Sequence, residues 1–378
     1  MVTCTIMKKI FVAITVICCT IALFSCGGNN NSDYIISSVK DIRYTALNLE
    51  TVYIPMDIET CSYVGHSGVD GNHLYFFDEF FCFLYEISPS GSVLGRHLGL
   101  GNGPDEVPFR HHSGITVVNS ELLIMGNTYD AYLFKNFKNR ERIQLRVSRT
   151  NNSLEDSRAY SSFSEVLRKK GDRYFFNIYS EAAYCNPWEH SKENFTNAHI
   201  LMEVDLKSGN LKPIGKYSEY YIDNHGKINH LFQINYDIDN NNNFHVSYQA
   251  DSLIYISDEK FNPIKAFGFK GLNMNTNYGS ALPNLEDFNR VWADDFPNKG
   301  HYTWLEYIDE TNMTFRSYQK GSHTPFDGLQ IYHDGVLIAD VEVPKQFKVA
   351  GYIPPYYISQ IICDEEAETM KFYKFKLD

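Results

Sequence analysis

The amino-acid sequence predicts an all-β fold, and three observations support that prediction. Aromatic residues make up 15% of the chain, with 27 Tyr and 26 Phe, and these residues favour the half-buried surfaces of β-sheets. Pairs of short apolar stretches, each typical of a β-strand, recur along the chain with turn residues between them. Long stretches with helical periodicity are missing, and 285–292 is the segment for which we predict a short helix.

The strand pairs repeat along the whole chain. The second strand of each pair begins near residues 83, 132, 200, 253, 313 and 370. Repeats of this length, built from short strands and Asx- or Gly-rich turns, are typical of propeller blades. A single blade leaves both of its faces uncovered, so blades stack around a central channel. Six copies therefore predict a six-bladed β-propeller, with two β-sandwich domains as the alternative.

Turns and termini agree with a closed ring. The Asx-rich segments 69–72 and 237–243 each precede the first strand of a pair, where Asn and Asp tolerate the backbone of tight turns. Residues 42–55 alternate between apolar and polar side chains, as a strand does. We expect this strand to complete the last blade beside 372–377 and so close the ring.

The beginning of the chain has the pattern of a bacterial lipoprotein signal. Lys8 and Lys9 precede an apolar stretch from Ile10 to Phe24, which is too short to cross a bilayer but suits a signal peptide. Ser25 before Cys26 resembles a lipobox, so we predict that Cys26 carries the lipid; an ordinary cleaved signal is the alternative. The predicted organisation is a signal peptide (1–25), a lipidated cysteine with a flexible tether (26–33) and the propeller (34–378).

Charge and cysteines exclude some functions. The formal net charge is -12 without a cluster of Lys or Arg, which argues against nucleic acid as a partner. The lipid would then supply the membrane contact. No acidic run follows Cys26, so we expect an outer-membrane anchor facing the periplasm rather than the surface. Four cysteines remain beyond the signal: Cys61, Cys82, Cys185 and Cys363. Three of them lie among predicted strand residues and are expected to be small buried hydrophobes, with a Cys61–Cys82 disulfide as an alternative.

Sequence motifs for catalysis or metal binding are weak. The Gly-rich loop 99–106 lacks a following helix and carries Asp105 and Glu106, so we interpret it as an inter-blade turn rather than a phosphate site. The Asp237, Asp239 and Asn241 spacing opens like a calcium loop but lacks the later Gly and Glu, so an Asx turn is favoured. We predict no metal, no cofactor and no catalytic residue.

Two segments interrupt the repeat, 99–112 and 273–302, and they are the candidate walls of a ligand site. Propeller ligands bind at one end of the channel, where connecting loops leave a concavity. The hypothesis requires both segments to lie on the same face of the ring. Their candidate ligand-binding residues are Glu106, Arg110, His111 and His112 in the first segment, and Trp292 and His301 in the second.

The chain resembles the six-bladed β-propeller lipoproteins of Bacteroidales, a group largely of unknown function. The resemblance is based on the lipobox at Cys26 and on the segments 99–106, 251–255 and 366–372. Related propellers often carry Gly where this chain has Asp105.

The sequence thus favours a membrane-anchored propeller of the cell envelope without catalytic activity, which binds a glycan or peptide at one face of its channel. A metal-dependent lactonase or polysaccharide lyase on the same scaffold is the second hypothesis. A structural partner in an envelope complex is the third, because fold alone does not decide function.

Overall fold

Six antiparallel sheets form a β-propeller, which confirms the predicted fold class. The computed structural model describes residues 34–56, 59–110, 112–126, 130–147, 153–162, 166–321 and 324–377. The predicted signal peptide (1–25), Cys26 and the tether to residue 33 lie outside these residues, as does His111. Within the described residues, no helix is both long and apolar enough to cross a bilayer.

Three strands precede the first blade: β1 (Ile35–Ile36), β2 (Val39–Tyr44) and β3 (Glu50–Ile54). Blade 1 contains β4 (Gly65–Asp70), β5 (His73–Asp78), β6 (Phe83–Ile87) and β7 (Val93–Leu98). Blade 2 contains β8 (His112–Val118), β9 (Glu121–Gly126), β10 (Asp130–Lys135) and β11 (Lys138–Gln144). Blade 3 contains β13 (Leu167–Lys170), β14 (Arg173–Asn177), β16 (Leu201–Asp205) and β17 (Asn210–Ile214), beside a small ladder of β12 (Tyr160–Ser161) and β15 (Tyr179–Ser180).

In the second half of the ring, blade 5 has the longest strands. Blade 4 contains β18 (Ile234–Ile238), β19 (Phe244–Tyr248), β20 (Ile254–Ser257) and β21 (Pro263–Phe267). Blade 5 contains β22 (Lys299–Ile308), β23 (Met313–Gly321), β24 (Phe326–His333) and β25 (Val336–Pro344). Blade 6 contains β26 (Val349–Ile353), β27 (Tyr356–Ser359), β28 (Ile362–Asp364) and β29 (Thr369–Phe375).

The N-terminal strands run along the outside of the last three blades. β1 pairs in parallel with β21, and β2 pairs in parallel with β25, so each adds a fifth strand to a complete blade. β3 pairs antiparallel with β29, with Val52 opposite Phe372, and is the outermost strand of blade 6. The innermost strands of neighbouring blades contact each other around the ring, including β26 with β4. The predicted closure by the strand near 42–55 is confirmed.

In the described part of the chain, three helices and two short 3₁₀ turns interrupt the sheets. The helices are α1 (Ser191–Asn197), α2 (Glu219–Ile228) and α3 (Leu285–Asn298), and the turns span Ser157–Ala159 and Asp309–Thr311. The predicted helix at 285–292 is confirmed and continues for six further residues. Its first turn is stabilised by Asn284, whose side chain accepts the backbone N–H of Asp287.

In blade 5 the repeat has a different register from the one that the sequence predicted. The predicted pair at 302–305 and 313–316 is formed by the innermost and second strands, β22 and β23. In blades 1 to 4 the predicted pairs are the second and third strands. The long β22 is as apolar as a second strand, with seven of its ten residues buried, which explains the shifted prediction.

The turn at 239–243 is an Asx turn, as predicted. The Asp239 carboxylate accepts the backbone N–H groups of Asn241 and Asn243, both at 2.8 Å. Asn242 adopts a left-handed backbone with φ 65°, which Asn tolerates better than most residues. Asp237 points elsewhere, to the backbone N–H of Tyr307.

The core lies between neighbouring blades. Phe175 of blade 3 packs edge-on against Phe244 of blade 4, and Phe315 of blade 5 contacts Tyr357 of blade 6. Cys61, Cys82 and Cys185 are buried in this core and Cys363 is partly buried; all four are free thiols, so the alternative Cys61–Cys82 disulfide is not formed. Burial raises the pKa of the Cys61 thiol to about 11, as expected for a small buried hydrophobe.

Candidate functional site

The connections between successive blades all lie on one face of the ring, here called the connection face. Each connection joins the outermost strand of one blade to the innermost strand of the next, and the four strands of every blade alternate in direction. The described connections on this face are 99–110, 215–233, 268–298 and 345–348. Both candidate walls, 99–112 and 273–302, therefore lie on the connection face, at junctions three blades apart.

Three cavities with shared lining residues occupy the channel and its mouth on the connection face. The channel cavity, of about 390 Å³, is lined by the innermost strands of all six blades. A mouth cavity of about 360 Å³ lies between blades 4, 5 and 6. A side cavity of about 150 Å³ lies against blades 3, 4 and 5. Lys348, in the connection to blade 6, lines all three.

Primary carboxamides dominate the mouth cavity. They come from three blades: Gln233, Asn235, Gln249, Gln319, Gln346 and Gln360. Two of these side chains make hydrogen bonds to the backbone. Gln249 Oε1 accepts the N–H of Gln233 at 3.3 Å, and Asn235 Nδ2 donates to the carbonyl of Tyr302 at 3.2 Å. The side chains of Gln319 and Gln360 are partly buried and that of Gln346 is exposed, so a ligand in the cavity can reach them. A carboxamide can donate and accept, so these three amides can bind a ligand that does both.

An aromatic stack leads from the surface to the wall of the mouth cavity. The Trp292 ring stacks on Phe296 with centroids 5.3 Å apart, and Phe296 packs on the His301 ring at 4.5 Å. Trp292 on α3 is 43% exposed, whereas His301 at the start of β22 is 1% exposed. Trp292 lines none of the three cavities but presents an exposed ring beside Phe296, which lines the mouth cavity together with His301.

The tautomer of His301 follows from its backbone contact. Nδ1 lies 3.3 Å from the carbonyl oxygen of Lys299, which can only accept, so Nδ1 carries the proton. Nε2 is then an acceptor, and it is buried without a partner among the described residues. Burial lowers the pKa of His301 to about 4, which keeps the ring neutral at pH 7.

The side cavity combines aromatic rings with one polar atom that lacks a partner. Tyr179, Phe232 and Trp304 form its apolar walls. Asn177, at the end of β14, donates from Nδ2 to the carbonyl of Ile234 at 2.6 Å. That bond fixes the orientation of the carboxamide, and Oδ1 is buried without a partner in the described part of the chain.

A buried ion cluster lies deeper in the channel. The Arg168 guanidinium donates to both carboxylate oxygens of Glu306, at 3.3 and 2.6 Å, and its Nε lies 3.6 Å from Asp237 Oδ1. The guanidinium lies 5.2 Å from the Trp304 ring centroid, and Lys348 Nζ lies at 5.3 Å. Burial raises the pKa of Glu306 to about 8; the Asp237 charge adds to the rise, and Arg168 opposes it.

The first candidate wall is occupied by its own contacts. Glu106 Oε2 accepts the N–H of Gly103 at 2.7 Å, and Arg110 stacks on Phe80 at 4.1 Å. The His112 ring packs on Phe77 and Phe109. None of the three cavities is lined by Glu106, Arg110 or His112. The structure thus brings Trp292 and His301 together through Phe296 and does not bring the first wall to them.

The second hypothesis, a metal-dependent lactonase or lyase, requires a cluster of metal-ligating side chains. Among the described residues, no group of three or more His, Cys, Asp or Glu side chains could hold a metal ion. Asp327, which lines the mouth cavity, accepts instead from Lys345 Nζ and from the backbone N–H of Gln346.

The fold and these cavities define a six-bladed β-propeller whose channel opens through a mouth lined with carboxamides. Solved structures with this fold include a member of the DUF4221 family from Bacteroides vulgatus, with a TM-score of 0.63 and 12% identity over 88% of this chain and 98% of that chain. Another is a protein from Bacteroides fragilis that is thought to be exported, with a TM-score of 0.55 and 13% identity over 91% of this chain and 100% of that one. At these identities the likeness shows the fold. No protein-family model and no curated protein matches the chain.

Proposed function

We propose that this protein is a lipid-anchored propeller that binds a neutral oligosaccharide at the mouth of its channel, without catalysing a reaction on it. The observation that carries the proposal is the convergence of six carboxamides on one cavity of about 360 Å³. Amide groups hydrogen-bond to sugar hydroxyls as donors and as acceptors, without a charge on either side. Loops on a rigid scaffold can aim such groups without disturbing the core.

The chemistry of the mouth favours a sugar over a peptide. Only Phe296, Ile361 and Ile362 are apolar among the residues that line the mouth cavity. An extended peptide presents alternating side chains that need pockets of their own, and its main chain usually joins a sheet edge. A sugar presents hydroxyls in most directions, which matches a wall that is polar on most sides. Trp292 adds an exposed ring on which a sugar can stack.

Neutral ligands also fit the charges better than anions do. The acidic groups at the channel, Asp237 and Glu306, are paired with Arg168, and Asp327 is paired with Lys345. The whole chain carries a formal charge of -12, so an anionic polymer would be repelled from most of its surface.

A binding panel tests the proposal. Purified full-length protein in detergent is titrated by calorimetry with neutral glucans, mannans and galactans, with uronic-acid oligomers and with peptides. We expect binding to a neutral oligosaccharide. The combined variant Gln319→Ala, Gln346→Ala and Gln360→Ala should lose that binding, while Gln144→Ala, an exposed amide on the outermost strand of blade 2, should not. Binding of a peptide or uronate, and of no neutral sugar, would contradict the proposal.

The anchor is proposed from the sequence of residues 1–26, and a structural relative that is thought to be exported supports transport out of the cytoplasm. The Cys26→Ala variant should lose metabolic labelling with a fatty acid and leave the membrane fraction. Cys185→Ala, which removes a buried thiol, is the matched control and should keep the label. Unchanged membrane association of Cys26→Ala would show that the protein is not a lipoprotein.

A further inference from the structure

The side cavity differs in chemistry from the mouth cavity beside it. Eight of the thirteen residues that line the side cavity are Val, Ile, Leu, Phe, Tyr or Trp, whereas only three of the thirteen at the mouth cavity are. A sugar hydroxyl placed against such walls would give up hydrogen bonds to water without replacing them, which is unfavourable. The side cavity therefore suits a part of the ligand that is mostly apolar.

The volume of the side cavity limits what it can hold. It measures about 150 Å³, and an apolar cavity of about this size in another protein binds a single molecule of benzene. A hexose has about twice as many heavy atoms as benzene, so a whole sugar ring does not fit. A short substituent on a sugar ring does fit.

The two cavities are continuous with each other. Gln233, Asn235, Thr303 and Lys348 line both of them. The Gln233 side chain is exposed and the other three are partly buried, so solvent reaches this shared wall. A sugar ring in the mouth cavity can therefore place a substituent in the side cavity across these four residues.

A cation borders the otherwise apolar side cavity. Lys348 Nζ lies 5.3 Å from the centroid of the Trp304 ring, and both residues line the cavity. An ammonium group has three N–H donors and no acceptor, so it favours a ligand group that accepts. A substituent with a methyl group for the rings and a carbonyl oxygen for the ammonium satisfies both parts of this wall.

We propose that the side cavity takes the acetyl group of an acetylated sugar whose ring lies in the mouth cavity. The methyl group packs against Tyr179, Phe232 and Trp304, and the carbonyl oxygen accepts from Lys348. This inference rests on the proposed oligosaccharide binding and adds the substituent that the ligand carries. An acetamido group and an acetyl ester present the same methyl and carbonyl groups, and both leave the sugar neutral.

Matched pairs of oligosaccharides test the proposal. Chito-oligosaccharides are compared with cello-oligosaccharides, which share the backbone and lack the acetamido group. Acetylated glucomannan is compared with the same polymer after alkaline removal of its esters. In calorimetric titrations of full-length protein in detergent, the acetylated member of one pair should bind at least about ten-fold more tightly, from burial of the methyl group and one hydrogen bond. The pair that shows the preference identifies the linkage.

A variant that fills the side cavity tests its location. Ile234 on β18 lines the side cavity and neither of the others. It faces blade 3, because Tyr236, two residues further along the strand, donates its O–H to the carbonyl of Phe175. Ile234→Phe should weaken binding of the acetylated ligand about ten-fold and leave the deacetylated ligand within about two-fold.

Two further variants separate loss of the cavity from structural damage. Ile238→Phe is the matched control, because Ile238 lies on the same side of the same strand and lines only the channel cavity. It should keep the preference for the acetylated ligand. Ile234→Met replaces Ile234→Phe if the phenylalanine variant lacks a cooperative thermal transition, since an unbranched side chain adapts to a packed site.

The outcomes distinguish this inference from the proposed function. If the wild type binds no neutral oligosaccharide, acetylated or not, both fail. If the members of each pair bind equally, or if the filled variant keeps the preference, the acetyl site is wrong and oligosaccharide binding stands. A preference that is present in the wild type and in Ile238→Phe and lost in the filled variant supports both.

Discussion

Two connections on the same face of the propeller have the same topological role and different chemistry. The connection 99–110 joins blades 1 and 2, and the connection 268–298 joins blades 4 and 5. Each leads from an outermost strand to an innermost strand. The sequence marked both as walls of a ligand site, and the structure shows that only the second reaches the cavities.

The connection 99–110 satisfies its polar groups internally. The Glu106 carboxylate fills the space beside Gly101 and Gly103, where an added Cβ would come within 2.0 Å and 3.0 Å of its oxygen. Its backbone carbonyl accepts from Arg140 at 2.9 Å. A side chain at Gly101 would displace the end of the Glu106 side chain, so the motif provides the space in which this carboxylate packs.

The connection 268–298 is stabilised by buried polar contacts and has exposed apolar side chains. Asp295 of α3 is buried, accepts the N–H of Gly279 at 2.6 Å and lies 2.9 Å from His230 Nε2. Leu272, Leu282, Leu285 and Trp292 remain exposed on its outer side. In the connection 268–298, buried polar contacts fix the backbone, so the exposed side chains remain available to a ligand. In the connection 99–110, the Glu106 side chain is used within the loop and is not available.

The largest effect is expected from Asp295→Ala. This change removes the acceptor of the Gly279 N–H and leaves His230 buried without its carboxylate, which should lower the free energy of unfolding by about 2–4 kcal/mol. Urea denaturation measures the loss, and Asp294→Ala, an exposed neighbour on the same helix, should change stability by less than about 0.5 kcal/mol. Equal stabilities of the two variants would show that Asp295 does not stabilise this connection.

The second effect depends on pH and on His301. Its folded pKa of about 4 lies below the ordinary histidine value of 6.5, so the unfolded chain binds more protons between these pH values. Stability contributed by the neutral ring is therefore present above pH 6.5 and falls as the pH decreases towards 4, by up to about 3 kcal/mol. Asp327 opposes this shift and His230 adds to it.

The measurement is the free energy of unfolding of the wild type and of His301→Phe between pH 7 and pH 4. The wild type should lose stability more steeply than the variant, which has no proton to bind at this position. His225→Phe should keep the wild-type slope. Parallel curves for the wild type and His301→Phe would contradict the buried neutral ring.

The third prediction concerns the first connection. Glu106→Ala removes the acceptor of the Gly103 N–H at a half-buried position and should lower stability by about 1 kcal/mol. Glu106→Gln keeps a side-chain oxygen there and should lose less than half as much. Because Glu106 lines none of the cavities, neither variant should change oligosaccharide affinity. A change in oligosaccharide affinity would show that the connection 99–110 contributes to the ligand site.

The sequence predicted the fold well because its signals are local. Each blade repeats strands such as 74–78 and 83–87, and β3 carried an alternation that marked it as a strand before its partner was known. The shifted register in blade 5 shows the limit of that approach. An innermost strand that is buried on most positions has the same pattern as a second strand.

The sequence predicted only part of the candidate site because the site is assembled from distant strand ends. Trp292 and His301 were found since their segment broke the repeat. Gln319 lies near the end of β23, Gln360 directly after β27, and Gln346 in the connection 345–348. Their spacings are unrelated, and nothing in their neighbours sets them apart. Knowledge of the strand register in each blade would have identified these three residues, because each lies where a strand or a connection reaches the channel.

The smallest effect on stability, and the sharpest contrast between the two connections, is expected from Trp292→Ala. The ring is 43% exposed and contacts Phe296 with one face, so its loss should change the free energy of unfolding by about 0.5 kcal/mol or less. Oligosaccharide affinity should fall by about three- to ten-fold, because the free face of the ring is lost as a stacking surface. Phe80→Ala is the matched control, since Phe80 is 49% exposed and lies under Arg110 beside the first connection. It should leave affinity unchanged in the same titration. If Phe80→Ala weakens binding as much as Trp292→Ala does, the ligand contacts both connections, and the distinction between them is wrong.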